Sequence, residues 1–166
     1  MNRPSAIAGS VIFLLVAPGT VAGLVPWWIS RWQMQAAFLG FPGFRVLGVF
    51  LIAAGLPVLL DSFTRFALQG LGTPAPVAPP ERLVVSGLYR YVRNPMYVGV
   101  TGVIFGQALL FGDVRVLQYG AIVWVTFHLW VMGYEEPALR RKFGSEYERY
   151  CGNVRRWIPR LQPWPG

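Results

Sequence analysis

Four long apolar stretches dominate the chain, at residues 5–29, 44–68, 96–111 and 114–134. Each approaches the roughly 20 residues that a helix needs to cross a bilayer. The third is shorter than the others and closes on Gly112-Asp113, after which the fourth begins at once. That spacing predicts a tight antiparallel helical hairpin. The pattern therefore predicts an all-α integral membrane protein of about four transmembrane helices, with a cytoplasmic connector and short C-terminal helices. A single domain, residues 1–166, is expected, with two N-terminal helices in 1–69 and a core in 70–166.

Punctuation refines this picture. Pro18 and Pro26 in the first stretch and Pro57 in the second remove backbone donors and predict kinks. Gly19 and Gly23 are spaced for close helix approach, as are Gly102 and Gly106, with Gly99 on the same face as the latter pair. The connector holds a proline-rich segment, residues 73–80, that cannot be regular helix. Leu83, Val84 and Val85 then predict docking back onto the protein. After Glu136, Pro137 suits a first helical turn and Arg140, Arg141 and Lys142 its end, with Gly144 as a stop. Ser145 and Glu148 have capping-box spacing for a second short helix. The last segment, with Arg155, Arg156, Trp157, Arg160 and Trp164, reads as a basic interfacial anchor.

The first stretch has the basic start of a signal peptide and a small-residue site at Thr20-Val21-Ala22. It runs on to an interfacial aromatic pair, Trp27-Trp28, so a retained helix is expected.

Composition agrees with the lipid setting. Charged residues make up 13% and hydrophobic ones 54%, with a mean hydropathy of +0.45, against about 25% charged in ordinary soluble domains. The net charge of +8 raises nucleic acid as a partner, but the arginines gather at the ends of apolar runs, as membrane orientation signals and lipid-headgroup contacts do. Arg3, Arg65, Arg82, Arg90, Arg93 and the tail cations are expected on the cytoplasmic face, with Arg31, Arg45 and Arg115 opposite. One His and one Cys argue against His/Cys zinc and haem sites. Asp61 and Arg65 are four apart and read as an ion pair. His128 and Gln107 read as interhelical hydrogen-bonding groups.

Two polar clusters remain, and the predicted topology puts both on the cytoplasmic face. One is Tyr89, Tyr91, Arg93, Asn94 and Tyr97; the other is Glu135, Glu136 and Arg140. Polar groups at the mouth of a membrane helix are costly unless they bind something polar. Tyrosine faces attract cations, carboxylates balance an ammonium or sulfonium, and arginine grips a carboxylate in bidentate fashion. These residue types suit a cationic or zwitterionic small molecule, and their chemistry alone does not name it.

The pattern Gly87-x-Tyr89-Arg90-x-x-Arg93-Asn94-Pro95-Met96-Tyr97-x-Gly99, followed by Glu135-Glu136-x-x-Leu139-x-x-x-Phe143-Gly144-x-x-Tyr147-x-x-Tyr150, resembles the integral-membrane isoprenylcysteine carboxyl methyltransferase and phospholipid methyltransferase family. Pro79-Pro80-x-x-Leu83-Val84 extends the likeness upstream. The resemblance implies S-adenosyl-L-methionine as cofactor and methyl transfer to a small lipophilic or lipid acceptor at the cytoplasmic membrane face; the abundance of Arg over Lys, with much Ala, Gly, Pro and Val, points to a bacterial inner membrane. By position it places cofactor contacts on Glu81, Arg82, Leu83, Val84, Tyr89, Asn94, Pro95, Met96, Tyr97, Glu135 and Arg140. Glu136 and Arg93 become the catalytic candidates, Glu136 as a general base for an amine or hydroxyl nucleophile. Prenylcysteine enzymes usually carry His where Asn94 stands, and an arginine one turn before the acidic pair, where this chain has Val131 and Met132. A different lipophilic acceptor is accordingly expected. Two other readings stand beside this one. The first is an NADPH-dependent membrane reductase of sterol-reductase type, with a similar helix layout but needing more basic side chains for the 2′-phosphate. The second is a non-catalytic membrane assembly protein.

Overall fold

A computed structural model describes residues 3–69 and 82–166. The proline-rich connector and Glu81 lie outside the described residues. The chain forms α1 (Arg3–Gly19), α2 (Val25–Ser30), α3 (Gly43–Gln69), α4 (Pro95–Phe111), α5 (Val114–Trp130) and α6 (Glu136–Asn153). No strand occurs among the described residues. Three helical rods are long and apolar enough to cross a membrane, Val11–Ser30, Gly43–Arg65 and Val114–Asn153, while Pro95–Phe111 is a shorter apolar helix. The predicted all-α membrane architecture is therefore observed, with α4 as its short fourth member.

Two of the rods are continued through a π-helical turn, and both turns have the same cause. The segment Thr20–Leu24 joins α1 to α2, and Val131–Glu135 joins α5 to α6. Each is followed by a helix with proline in its first turn, Pro26 or Pro137. A proline has no N–H for the carbonyl four residues back and crowds it, so the turn widens. In the first turn the Val25 N–H bonds to the Thr20 oxygen, which takes it away from Val21, and Pro26 offers nothing to Ala22. Both released carbonyls are taken by other helices. The Tyr119 hydroxyl donates to Val21 at 2.9 Å, and Gln107 Nε2 donates to Ala22 at 2.6 Å. In lipid, where water cannot serve, such replacements are what make the break tolerable. Gln107 thus has the interhelical role its position suggests, and it also accepts from the Trp32 indole at 3.0 Å.

α4 is the central helix, with Val100, Val103, Ile104 and Ala108 buried in the core with Leu59 and Phe63 of α3 and Val116 and Val123 of α5. It packs on α3 through glycines. A Cβ at Gly99 would lie 2.9 Å from the Gly55 oxygen, and one at Gly106 would lie 2.8 Å from the Gly48 oxygen. The contact is thus a pair of glycines on each helix, seven residues apart. A Cβ at Gly102 would meet the Leu51 oxygen of α3 at 3.8 Å, an ordinary contact, while Gly19 and Gly23 meet no neighbouring helix, which corrects the expectation of close approach at Gly19-Gly23. Those two glycines flank or enter the widened turn instead of facing a partner.

The hairpin turn behaves as predicted. Gly112 has φ 71°, a left-handed conformation, and Asp113 caps α5 by accepting from the Arg115 N–H at 2.8 Å. Asp113 also accepts from Gln35 Nε2 and from the Arg115 guanidinium, both within 2.8 Å. The bonds from Arg115, side chain first, hold its carboxyl below the ordinary aspartate value. Arg45 donates to the Gln35 carbonyl, so Arg45, Arg115 and Asp113 gather at this end. Arg65, Arg90, Arg93 and α6 lie at the other.

Candidate functional site

The site end is built where α4 begins. Pro95 occupies the first turn of α4, with Asn94 ahead of it in a non-helical conformation. Because Gly99 is level with Leu59 and α3 runs on to Gln69, α3 overshoots the start of α4 by roughly 10 Å. The first turn of α4 is therefore recessed, and Tyr97 sits inside that recess. Opposite it lies the π turn that ends in Glu135. Such turns recur at functional sites because they re-aim one side chain within a helix. Here the Tyr97 hydroxyl donates to Glu135 Oε2 at 3.0 Å. The Tyr97 ring lies against Phe127 at 4.6 Å between centroids. Tyr89 is buried beside Ser62, and burial first, then the nearby Tyr150 and Glu135, push its phenol far above the ordinary tyrosine value. It remains a neutral hydrogen-bonding group at any working pH.

A second charged group sits behind this pair. Both oxygens of Glu136 are committed to Arg156, with Nε at 2.6 Å and Nη2 at 3.0 Å. Arg93 Nη1 lies 3.3 Å from Glu136, and the two side chains are 11% and 7% exposed. Arg93 Nη1 also reaches Cys151 Sγ at 2.7 Å. Its Nε is buried with no hydrogen-bond partner. The bond to Glu136 raises the Arg156 guanidinium above its ordinary value. Buried guanidinium and carboxylate groups in this geometry satisfy one another, and removing one strands the other.

The C-terminal segment completes the arrangement and corrects the reading of it as a surface anchor. The Arg93 N–H donates to the Arg155 oxygen at 2.9 Å, Arg160 N–H to Tyr91 at 2.9 Å, and Trp164 N–H to Arg90 at 3.0 Å. Asn94 Nδ2 donates to the Arg156 oxygen at 3.2 Å. Trp157 Nε1 donates to His128 Nδ1 at 2.9 Å, which requires that nitrogen to be unprotonated. Trp164 is buried with Tyr147, Tyr150 and Val154. The segment turns inward because residues 90–94 expose backbone groups that nothing else near them satisfies.

The sequence candidates separate into groups. Tyr97 and Glu135 touch, with Tyr89 near them. Arg93, Asn94 and Glu136 join at the tail. Leu83 packs on the Tyr147 and Tyr150 cluster, Val84 is buried, and Met96 packs on the apolar core. Arg82 is exposed, and Arg140 is an exposed side chain paired with Glu148 at 3.3 Å. Glu148 is thus engaged across the Gly144 kink, where φ is 52°, and the predicted break at that glycine is observed. Asp61 and Arg65 form their ion pair at 2.8 Å. Sequence reasoning missed Arg156 and Phe127. The available signal for Arg156 was charge balance, since a buried Glu136 requires a cation, and Arg140 was the nearer choice in sequence.

The arrangement sets a half-buried carboxylate, Glu135, against Tyr97, whose ring lies on Phe127, with the Arg93, Glu136 and Arg156 group behind it.

Comparison with known proteins gives a consistent result. A family model described as phospholipid methyltransferase matches residues 44–146. The chain is 30% identical over 118 residues to the protein-S-isoprenylcysteine O-methyltransferase of Schizosaccharomyces pombe, covering 70% of this chain and 47% of that protein. It is 28% identical over 95 residues to the phosphatidylethanolamine N-methyltransferase of Malassezia globosa, covering 52% of this chain and 10% of that protein. The chain therefore spans less than half the length of either relative.

Proposed function

Since the chain belongs to the phospholipid methyltransferase family, we propose that it catalyses S-adenosylmethionine-dependent methyl transfer to a small lipophilic or lipid acceptor, with its active site on the cytoplasmic membrane face. The relatives' names, an isoprenylcysteine O-methyltransferase and a phosphatidylethanolamine N-methyltransferase, give the acceptor class its range. The observation that carries the reading is the 3.0 Å contact between Tyr97 and Glu135, which joins two motifs 38 residues apart in a recess at one end of the bundle.

S-adenosylmethionine supplies, when bound, an electrophilic methyl carbon on a sulfonium. Glu135 provides the counter-charge for a positive centre, and the Tyr97 hydroxyl holds that carboxylate in place. The Tyr97 and Phe127 rings offer π faces to a cation. In-line displacement at a sulfonium asks mainly for alignment, and rigid placement of these groups provides it. Both oxygens of Glu136 are engaged by Arg156, so this reading gives it the task of anchoring Arg93 and the tail in place of a general base. With Val131 buried and Met132 exposed, the position one turn before the acidic pair offers no cation to an acceptor's carboxylate. An acceptor without that group, such as a lipid amine or hydroxyl, fits better than prenylcysteine.

Calorimetric titration of the detergent-purified protein with S-adenosylhomocysteine and with NADPH tests the reading. Binding of S-adenosylhomocysteine is expected. Binding of NADPH alone would favour a reductase, and binding of neither a non-catalytic protein. Labelled methyl transfer into lipid extracts then identifies the acceptor.

A further inference from the structure

The two motifs that form the candidate site lie on different elements and meet at Tyr97–Glu135 and Arg93–Glu136, and the tail ties them together a second time from outside both. Arg155 accepts the Arg93 N–H at 2.9 Å. Arg156 accepts from Asn94 through its backbone oxygen at 3.2 Å and grips Glu136 through both arms of its guanidinium. One residue thus ties the segment before α4 to the start of α6. Its neighbour Trp157 pins the same stretch to His128 of α5 at 2.9 Å.

We propose that Arg156 is a positioning residue for the methyl-donor site, holding Glu136 and the 93–94 segment in register so that Tyr97 and Glu135 face one another. The inference rests on the proposed function and adds to it a residue outside both motifs. Glu136 is 7% exposed and Arg156 is 27% exposed, so the pair sits largely out of water. The bidentate geometry matters as much as the charge. A lysine would keep the cation but not the planar fork that meets two carboxylate oxygens at once.

Physically, Arg156 acts at a distance from the ligand. Without it, Glu136 keeps only Arg93, whose Nη1 is also engaged with Cys151. Arg93 is then drawn toward the uncompensated carboxylate. The 93–94 segment loses the clamp that keeps the Arg93 N–H on the Arg155 oxygen and the Asn94 side-chain amide on the Arg156 oxygen. Asn94 directly precedes α4, so the displacement passes to Tyr97 within one helical turn.

The test uses the full-length protein in detergent, with Arg156→Gln, Arg156→Lys, Glu136→Gln and the double variant Arg156→Gln/Glu136→Gln. Arg141→Gln, an exposed cation on α6, is the control. Two readouts are taken: amide hydrogen exchange of residues 90–94 without ligand, and S-adenosylhomocysteine affinity by calorimetry. Arg156→Gln is expected to speed exchange at Arg93 and to weaken affinity, each by about tenfold. Arg156→Lys should recover part of both. The double variant should lose no more than the worse single variant, because the two residues act as one unit. Unchanged exchange in Arg156→Gln overturns the proposal. Faster exchange with wild-type affinity also overturns it, since Arg156 would then be merely structural. Strictly additive losses overturn the link through Glu136. If the wild-type protein binds no S-adenosylhomocysteine, the proposed function fails, an outcome distinct from a variant that binds as the wild type does.

Discussion

Replacing Gly99 by alanine should disturb both the fold and the site, whereas the same change three residues on should not. A Cβ at position 99 would lie 2.9 Å from the Gly55 oxygen and 3.0 Å from the Leu59 nitrogen, against an ordinary contact that begins at 3.4 Å. Both obstacles are backbone, so no side chain can swing away, and α3 and α4 must part by roughly half an ångström. Overpacking of that kind costs about 1–3 kcal/mol. At Gly102 the nearest atom is the Leu51 oxygen at 3.8 Å. Alanine fits there and gains up to about 1 kcal/mol of helix propensity. The site should register the first change too. Tyr97 is two residues before Gly99, so a shift of α4 relative to its neighbours disturbs its bond to Glu135, now 3.0 Å. The assay is the thermal midpoint in detergent beside S-adenosylhomocysteine affinity. Gly99→Ala should lower both, and Gly102→Ala should leave affinity unchanged and the midpoint equal or higher. Equal midpoints for the two variants, or a lower one for Gly102→Ala, would refute the glycine interface.

Three further outcomes follow from the site and the opposite end. Glu135→Gln should weaken S-adenosylhomocysteine binding by about tenfold or more, because removing one side of a charge-assisted contact costs about 1.5–3 kcal/mol; Tyr97→Phe should have a smaller effect in the same calorimetric titration. His128→Ala removes the acceptor for the Trp157 indole and should raise the protease sensitivity of the tail, read as faster cleavage after residue 153, without abolishing the helical circular dichroism signal. Asp113 is held below its ordinary value by Arg115, so its contribution to stability is fully present above about pH 4 and is lost as pH falls through the lower, folded value. The midpoint gap between wild type and Asp113→Asn should accordingly be constant from pH 7 to about 5 and shrink below about 4; a gap that widens in acid would contradict the assignment.

Much of the bundle was legible in the amino-acid order because lipid imposes a coarse code. Apolar length gave the four rods, Gly112-Asp113 the hairpin, and Gly144 the kink in α6. The α3–α4 interface was half legible. Gly99 and Gly106 stood out, but their partners Gly48 and Gly55 repeat at seven residues, outside the four-residue spacing by which close helix approach was sought. The π turns were not legible as such. Pro26 announced a kink and Pro137 a helix start, and at the first turn only the positions of Gln107 and Tyr119 on other helices determine that the released carbonyls are satisfied and the rod continues.

The tail was misread for a physical reason that bears on the site itself. Arginine and tryptophan near a membrane are amphipathic in the same way whether they face headgroups or a protein interior, so composition cannot distinguish the two. What decides is supply and demand of hydrogen bonds. Residues 90–94 leave a run of backbone and amide groups open because Asn94 and Pro95 interrupt regular structure there, and Glu136 starts α6 as a buried anion. An extended chain offers carbonyls along its length, and an arginine within it offers a fork; residues 155–160 bring both. Ile158 and Leu161, which no such demand engages, remain exposed. The same segment therefore splits residue by residue between inward and outward roles. Arg156 falls inward because it answers two demands at once, from Asn94 and from Glu136, and a residue that closes two gaps in a site is the one whose loss the site should feel most.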